Sequence, residues 1–287
     1  MDDNKIIIEA WNTVLFEKFC RFQHLLVDSL SRHSDEALSR MSFGETARVL
    51  DIGCGFGDST QLIAKKIGAR GVARGVDCAE NFVRAATESA RAAGLTNTEF
   101  FVGDVQTDDL RGPYDHVFAR FGTMFFNLPG AAMRNVRKAL VPGGTFTQIV
   151  WRKREDNPWL HEAELRVKAI VPIVSHEETD QVHCGPGPFS MSGPDMVSSM
   201  LRSAGFERIT FERYDRDLCI GRDLDDAIAF AMALGPAGEA IRLAGAEADR
   251  LRPAIMAALT EALTPFVTPR GVYAPSSTWF ITARNPG

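Results

Sequence analysis

Apolar residues change their rhythm several times along this chain, and the changes mark out its elements. From Lys5 to about Leu30 they recur at helical spacing, with Ile7, Trp11, Val14, Leu15, Phe19, Phe22, Leu25 and Leu26 near one broad face. One or two helices are expected there. From Ala47 a different pattern sets in. "RVLDI" (48–52) reads as a short buried strand, and "GDSTQLIAKKIG" (57–68) as the helix after it. Asp58 with Gln61 three residues on resembles a capping box, and Gly68 is a natural stop. "GVARGVD" holds a second strand ending at Asp77, "AENFVRAATESARAAG" a helix closed by Gly94, and "TEFFVGD" a third strand ending at Asp104. "YDHVFAR" is a fourth strand. "GAAMRNVRKALVPGG" is a helix stopped by Pro142 and two glycines, and "TFTQIVW" is a fifth strand.

Strands alternating with helices over this length predict parallel βαβ units with right-handed crossovers and helices on both sheet faces. The fold class is therefore α/β, Rossmann-like and doubly wound. Ligands are expected beyond the carboxyl ends of the strands. Asp51, Asp77, Asp104 and Arg120 each follow an apolar strand run and so stand at that edge.

After Trp151 the rhythm breaks. A short helical stretch around 159–171 leads into the Gly/Pro-rich "HCGPGPFSMSGP", which is not long regular structure. "DMVSSMLRSAG" is a helix, "FERITFERYD" a sixth strand and "YAPSSTWFITAR" a last one, completing a mostly parallel seven-stranded sheet. Between those strands, "DLDDAIAFAMALG" and residues 237–263 form a helical insertion at about 222–265. The expected division is N-terminal helices (1–40), a cofactor-binding core (41–151), a lid segment (152–192), and the rest of the core with its insertion (193–287). The N-terminal helices, the lid segment and the insertion together make a helical cap over the sheet's carboxyl edge.

Composition narrows the partners. With 287 residues, 45% hydrophobic and 24% charged, the chain has room for a large core without staples. Its five cysteines (Cys20, Cys54, Cys78, Cys184, Cys219) show neither C-x-x-C nor zinc-like spacing. That predicts a reducing, cytoplasmic setting and no metal. The apolar run Ile6–Ile8 is too short for a signal peptide or a membrane span, so no membrane insertion is expected. A formal charge of −5 argues against general nucleic-acid binding. The basic "WRKRE" at 151–155 reads as a solvated turn.

Chemistry concentrates at "LDIGCGFGDST" (50–60). A glycine-rich turn between strand and helix lets a ligand approach the backbone. A dinucleotide site wants G-x-G-x-x-G, but counting from Gly53 puts Asp58 at the third glycine, where a carboxylate faces phosphate unfavourably. The pattern present is D-x-G-x-G-x-G, Asp51 to Gly57, which suits a ligand with an amino-acid tail and no phosphate.

Here the chain resembles the class I methyltransferases, which use S-adenosylmethionine and release S-adenosylhomocysteine. "VLDIGCGFG" matches the first motif, with Asp51, Gly53, Gly55 and Gly57 as cofactor-binding residues. The resemblance implies that Asp77 accepts hydrogen bonds from both ribose hydroxyls. It implies that the Asp104 carboxylate takes the adenine amine and that the Val105 amide faces the ring. Cys78 is then beside adenine, and the Arg120 main chain near the methionine end. "LVPGGTF" (140–146) matches the turn before the fifth strand. A narrower likeness, to a bacterial small-molecule branch related to the quinone-methylating enzymes, rests on "ARFGTMFF", "VWRKREDNPW", "GPF", "DLDDA" and "WFITAR". That branch often opens with a Trp–Asn pair, matched by Trp11 and Asn12, followed by small residues where this chain has Leu15 and Phe16.

The expected activity is in-line methyl transfer to a small, aromatic or partly apolar acceptor. Trp11, Phe16, Trp151 and Phe189 are the candidate acceptor walls. No catalytic group is fixed by the pattern. His183, in the Gly/Pro-rich stretch, is the candidate general base, whereas His116 and its neighbour Asp115 point to opposite faces of a strand and cannot pair. The Arg120 side chain is equally readable as a structural ion pair. A protein or nucleic-acid methyltransferase and a non-catalytic S-adenosylmethionine-binding protein remain as alternatives, and the sequence leaves the oligomeric state open.

Overall fold

The computed structural model describes residues 3–172 and 185–287. The N-terminal apolar run does not make one rod. It gives α1 (Asp3–Ala10), a π-helical turn at Trp11–Leu15, α2 (Phe16–Arg21), α3 (Gln23–Leu26) and α4 (Ser31–Ser39). The break after α2 falls at Phe22, whose backbone leaves the helical region (φ −107°, ψ 21°) while its ring is buried. Tertiary packing there overrides the helical period.

The core then alternates as its pattern predicts. β1 (Arg48–Ile52), α5 (Asp58–Ile67), β2 (Val72–Asp77), α6 (Glu80–Ala92), β3 (Thr98–Val102), β4 (Tyr114–Arg120), α7 (Pro129–Lys138) and β5 (Leu140–Trp151) follow in order. α8 (Pro158–Lys168) and α9 (Pro194–Ser203) precede β6 (Glu207–Gly221). The insertion consists of α10 (Leu224–Ala233), α11 (Gly235–Ala244), α12 (Ala246–Arg250) and α13 (Arg252–Leu263). β7 (Val267–Thr268) and β8 (Gly271–Arg284) end the chain.

The strand order is β3-β2-β1-β4-β5-β8-β6, with β7 pairing β8. β1 to β5 pair in parallel, and β8 runs antiparallel to both β5 and β6. The order reverses at β1, whose neighbours are β2 and β4, so the crevice of a doubly wound sheet opens above its carboxyl end. The expected seven strands form the main sheet. The two-residue β7 is an eighth, too short to show a period of its own. β6 runs to Gly221 rather than stopping near Asp215, because its later residues keep pairing with β8 and bury Leu218 and Ile220.

One core cluster lies between the sheet and α7–α9 and continues into the insertion; a second lies under α4 and α5. α8 packs on α11 and α13, which ties the insertion to the segment after β5. No single helix among the described residues is long and apolar enough to cross a membrane. α10 and α11 together reach that length but are bent by 59°.

Candidate active site

The glycine turn is built from below. Asp51, at the end of β1, is buried, and its Oδ2 accepts hydrogen bonds from the Ser59 and Thr60 hydroxyls at 2.7 and 2.6 Å. It therefore ties the strand to the start of α5. Burial raises its carboxyl to about 6, against the pull of those two hydroxyls and of Arg120. Gly53, Gly55 and Gly57 all have positive φ (+62°, +52°, +78°), where a β-carbon is unfavourable. The space around them differs. A β-carbon on Gly53 would lie 3.1 Å from Gly122 Cα, and one on Gly57 would lie 2.8 Å from Ala86 Cβ. One on Gly55 would meet nothing within 4 Å. Gly55 thus leaves open the cradle that a ligand's backbone contacts require.

Asp77, at the end of β2, accepts from the Gly55 amide through Oδ2 (3.0 Å) and from the Ala79 amide through Oδ1 (3.0 Å). Burial raises its pKa, opposed by these amides. Asp104 lies beyond β3. Its Oδ1 accepts from the Gln106 amide and side chain at 2.9 and 3.0 Å, and its Oδ2 from the Asn4 side chain at 2.6 Å. Arg120 closes the set. It pairs with Asp58 through Nη1 and Nη2 (2.5 and 2.9 Å) and also donates to Ser34 Oγ at 3.1 Å.

That pair corrects one sequence reading. α5 has no capping box: Gly57 is the N-cap, in the left-handed region, and Asp58 is spent on Arg120. A carboxylate in the first turn still suits the helix dipole.

A cavity of about 490 Å³ stands over these strand ends, within the range of small-molecule sites. Gly53, Gly55, Asp58, Asp77, Cys78, Asp104, Val105 and Arg120 line one side. Asp51 and Gly57 do not reach it; they shape the turn from beneath. The opposite walls come from α1 to α3, from α8, from residues 185–188, and from α10 and α11. Trp11 and Trp151 are in those walls, as expected. Phe16 and Phe189 are not. Phe16 turns towards Phe82 (5.0 Å) and holds the N-terminal segment on α6, while Phe189 packs against the main core beneath the Arg154 guanidinium. His183 lies outside the described residues. His116 bonds Thr145 Oγ1 (2.7 Å) while Asp115 takes the Arg48 amide, so the two do point apart. None of the described cavity-lining residues is a histidine.

Three contributors were not singled out in the sequence. Asn4 and Gln106 bracket Asp104, and Phe121 stacks on Trp151. Asn12 of the Trp–Asn pair accepts from the Asn81 amide and from its side chain, latching the N-terminal segment to the start of α6.

The charge balance around the turn decides the ligand class. Asp58, Asp77 and Asp104 line this face with one guanidinium, Arg120, and Asp51 lies beneath it, a field hostile to pyrophosphate and favourable to a cationic ligand. S-Adenosylmethionine, with its sulfonium and ammonium, suits that field. Residues 49–144 match the family described as a methyltransferase domain. They form a class I S-adenosylmethionine-dependent methyltransferase domain.

Relatives and solved structures agree with this. The chain is 32% identical over 181 residues to nocamycin O-methyltransferase of Saccharothrix syringae, a match spanning 59% of this chain and 62% of that one. It is 24% identical over 221 residues to demethylmenaquinone methyltransferase of Staphylococcus aureus (72% of this chain, 88% of that one). Its fold resembles that of the YcgJ protein of Bacillus subtilis, with TM-score 0.58, 17% identity, and coverage of 89% and 99%. It also resembles phosphoethanolamine N-methyltransferase 2 of Haemonchus contortus, solved with S-adenosylmethionine (TM-score 0.52, 16% identity, coverage 89% and 53%). The match to the nocamycin enzyme covers less than two thirds of its length.

Proposed function

We propose that this methyltransferase transfers a methyl group from S-adenosylmethionine to a small acceptor with a flat, largely apolar ring. The single observation that carries the reading is the two-sided cavity. Its acidic, glycine-lined face is built for the cofactor, and its other walls are mainly aromatic and aliphatic: Trp11, Phe19, Phe125, Trp151, Trp159 and Phe230 among them. The relatives that methylate an antibiotic and a quinone precursor are consistent with such an acceptor.

The cofactor would supply an activated methyl: the acceptor's lone pair would bond to it, the electron pair of the broken C–S bond would stay on sulfur to give S-adenosylhomocysteine, and a phenol or amine acceptor would give up its proton to water. The chain's own task is to position and to exclude water. Asp77 would hold the ribose hydroxyls, Asp104 the adenine amine, and the Gly53–Gly55 backbone the amino-acid tail. Arg120, tied to Asp58, fixes the turn after β4 beside that tail. Holding two reactants in line contributes roughly 7–11 kcal/mol of barrier reduction without any further group. The N-terminal helices and residues 185–188 shield the site from water.

The test is turnover. Incubation with S-adenosylmethionine and a panel of phenols, hydroxyquinones and heteroaromatic amines yields S-adenosylhomocysteine and a singly methylated product in stoichiometric amounts. Methylation of peptides or nucleic acids with every small acceptor inert contradicts the reading.

A further inference from the structure

Phe121 is a bulky residue at φ +57°, a region that disfavours β-carbons and where an aromatic side chain is an outlier. The surroundings hold it there. Its amide donates to the Ile149 carbonyl at 2.9 Å, which ties it to β5. The next residue, Gly122, lies against the cofactor turn: a β-carbon on Gly122 would come within 3.2 Å of both Gly53 Cα and the Ile52 carbonyl oxygen. The bend therefore brings the main chain flush with the cofactor turn and lays the Phe121 ring on Trp151 (centroids 4.3 Å apart, 18° between planes). The edge of the buried His33 packs against both rings, at 5.5 and 6.0 Å. Phe121 and Trp151 both line the cavity beside Gly53, Arg120 and Gly122. A turn alone calls for glycine or asparagine at this position. The chain places a ring there instead, at the junction of the cofactor and acceptor faces.

We propose that Phe121 is a specificity-determining residue. With Trp151 it forms the platform on which the acceptor's ring lies next to the transferred methyl. This rests on the small-acceptor methyltransferase reading above. Strain at the strand end is the means by which the platform is set beside the glycine turn.

The test uses the full-length protein loaded with S-adenosylhomocysteine and a matched pair of probes, 1-naphthol and trans-decahydro-1-naphthol. They share a carbon skeleton and a hydroxyl, and only the first is flat and aromatic. Calorimetry of the unaltered protein shows a preference of about tenfold for 1-naphthol, the fold-change that a ring-stacking contact gives. Phe121→Leu, which keeps an apolar side chain without a ring, and Phe121→Asn, which accepts the backbone conformation, reduce that preference to about twofold or less, and Phe121→Tyr retains it. All three are titrated at S-adenosylhomocysteine concentrations that saturate each, and a single cooperative unfolding transition certifies their folding. An unaltered protein with no preference, or that binds neither probe, overturns the proposal. So does a leucine variant that keeps the preference. Loss of S-adenosylhomocysteine binding by the unaltered protein is a different failure, because it removes the methyltransferase reading on which this one rests.

Discussion

The side-chain amide of Asn4 donates a 2.6 Å hydrogen bond to Oδ2 of Asp104, a hundred residues further along the chain. The other carboxylate oxygen, Oδ1, is held by Gln106 through its main chain and its side chain. Oδ2 also accepts from the Thr107 hydroxyl at 3.3 Å, so under the proposed function the adenine amine would share the Asp104 carboxylate with Asn4. α1 is one wall of the cavity, joined to the rest of the N-terminal segment through the π-helical turn at Trp11–Leu15. Under that proposal, cofactor and Asn4 compete for one carboxylate. Asn4→Ala is expected to bind S-adenosylhomocysteine about three- to tenfold more tightly, the worth of one hydrogen bond to a charged group less the flexibility gained. Equal or weaker binding means that Asn4 assists the ligand rather than competing with it.

Arg120 and Asp58 form a bidentate pair with little solvent access. Removing Arg120 leaves Asp58 and Asp51 as like charges facing each other, whereas removing Asp58 leaves Arg120 with Asp51 and Asp35 still nearby. Arg120→Ala is therefore expected to cost about 3 kcal/mol in urea unfolding, Asp58→Ala less, and the double replacement by apolar residues clearly less than the sum. Additive losses would show that the two side chains act separately.

His33 is wholly buried, and burial first, then the nearby Arg120 and Arg216 charges, lower its pKa to about 3. The unfolded chain titrates near 6.5. A base with a depressed folded pKa keeps its full stabilisation above the unfolded value and loses it as pH falls towards the folded one. The stability difference between the unaltered protein and His33→Gln should therefore decline by about 1.4 kcal/mol per pH unit between about 6.5 and 3, and be flat above 7. A flat difference throughout means that the fold does not shift the His33 pKa from its unfolded value.

Asp51 shifts the opposite way. With its folded pKa raised to about 6, its stabilising contribution is present below its unfolded pKa and lost as pH rises through 6. Asp51→Asn keeps an oxygen for the Ser59 and Thr60 hydroxyls and removes that loss. It is expected to be the more stable protein at pH 8, by up to about 3 kcal/mol, with the gain vanishing by about pH 4. Chemical denaturation at the two pH values reads this directly.

Local patterns carried the reading of the core. Strand, glycine turn and helix are encoded within a dozen residues, so β1 to β5, the intervening helices and the strand ends at Asp51, Asp77, Asp104 and Arg120 were legible in order. What was not legible is what distant segments decide. Nothing near Asn4 signals that it meets Asp104, and nothing near Asp58 signals that Arg120 draws it away from capping. Phe121 escaped because left-handed backbone is read from glycine, and here the glycine stands one residue later. Phe16 had the right composition for a wall, but its helical phase turns it towards Phe82.

The most direct measurement is calorimetric titration of the purified protein with S-adenosylmethionine and S-adenosylhomocysteine, with Asp77→Ala and NAD as controls. The account predicts binding at micromolar or tighter dissociation constants for both sulfur ligands, a loss of at least about a hundredfold in Asp77→Ala, and no binding of NAD. Binding of NAD with neither sulfur ligand bound would contradict it, as would sulfur-ligand binding that Asp77→Ala leaves unchanged.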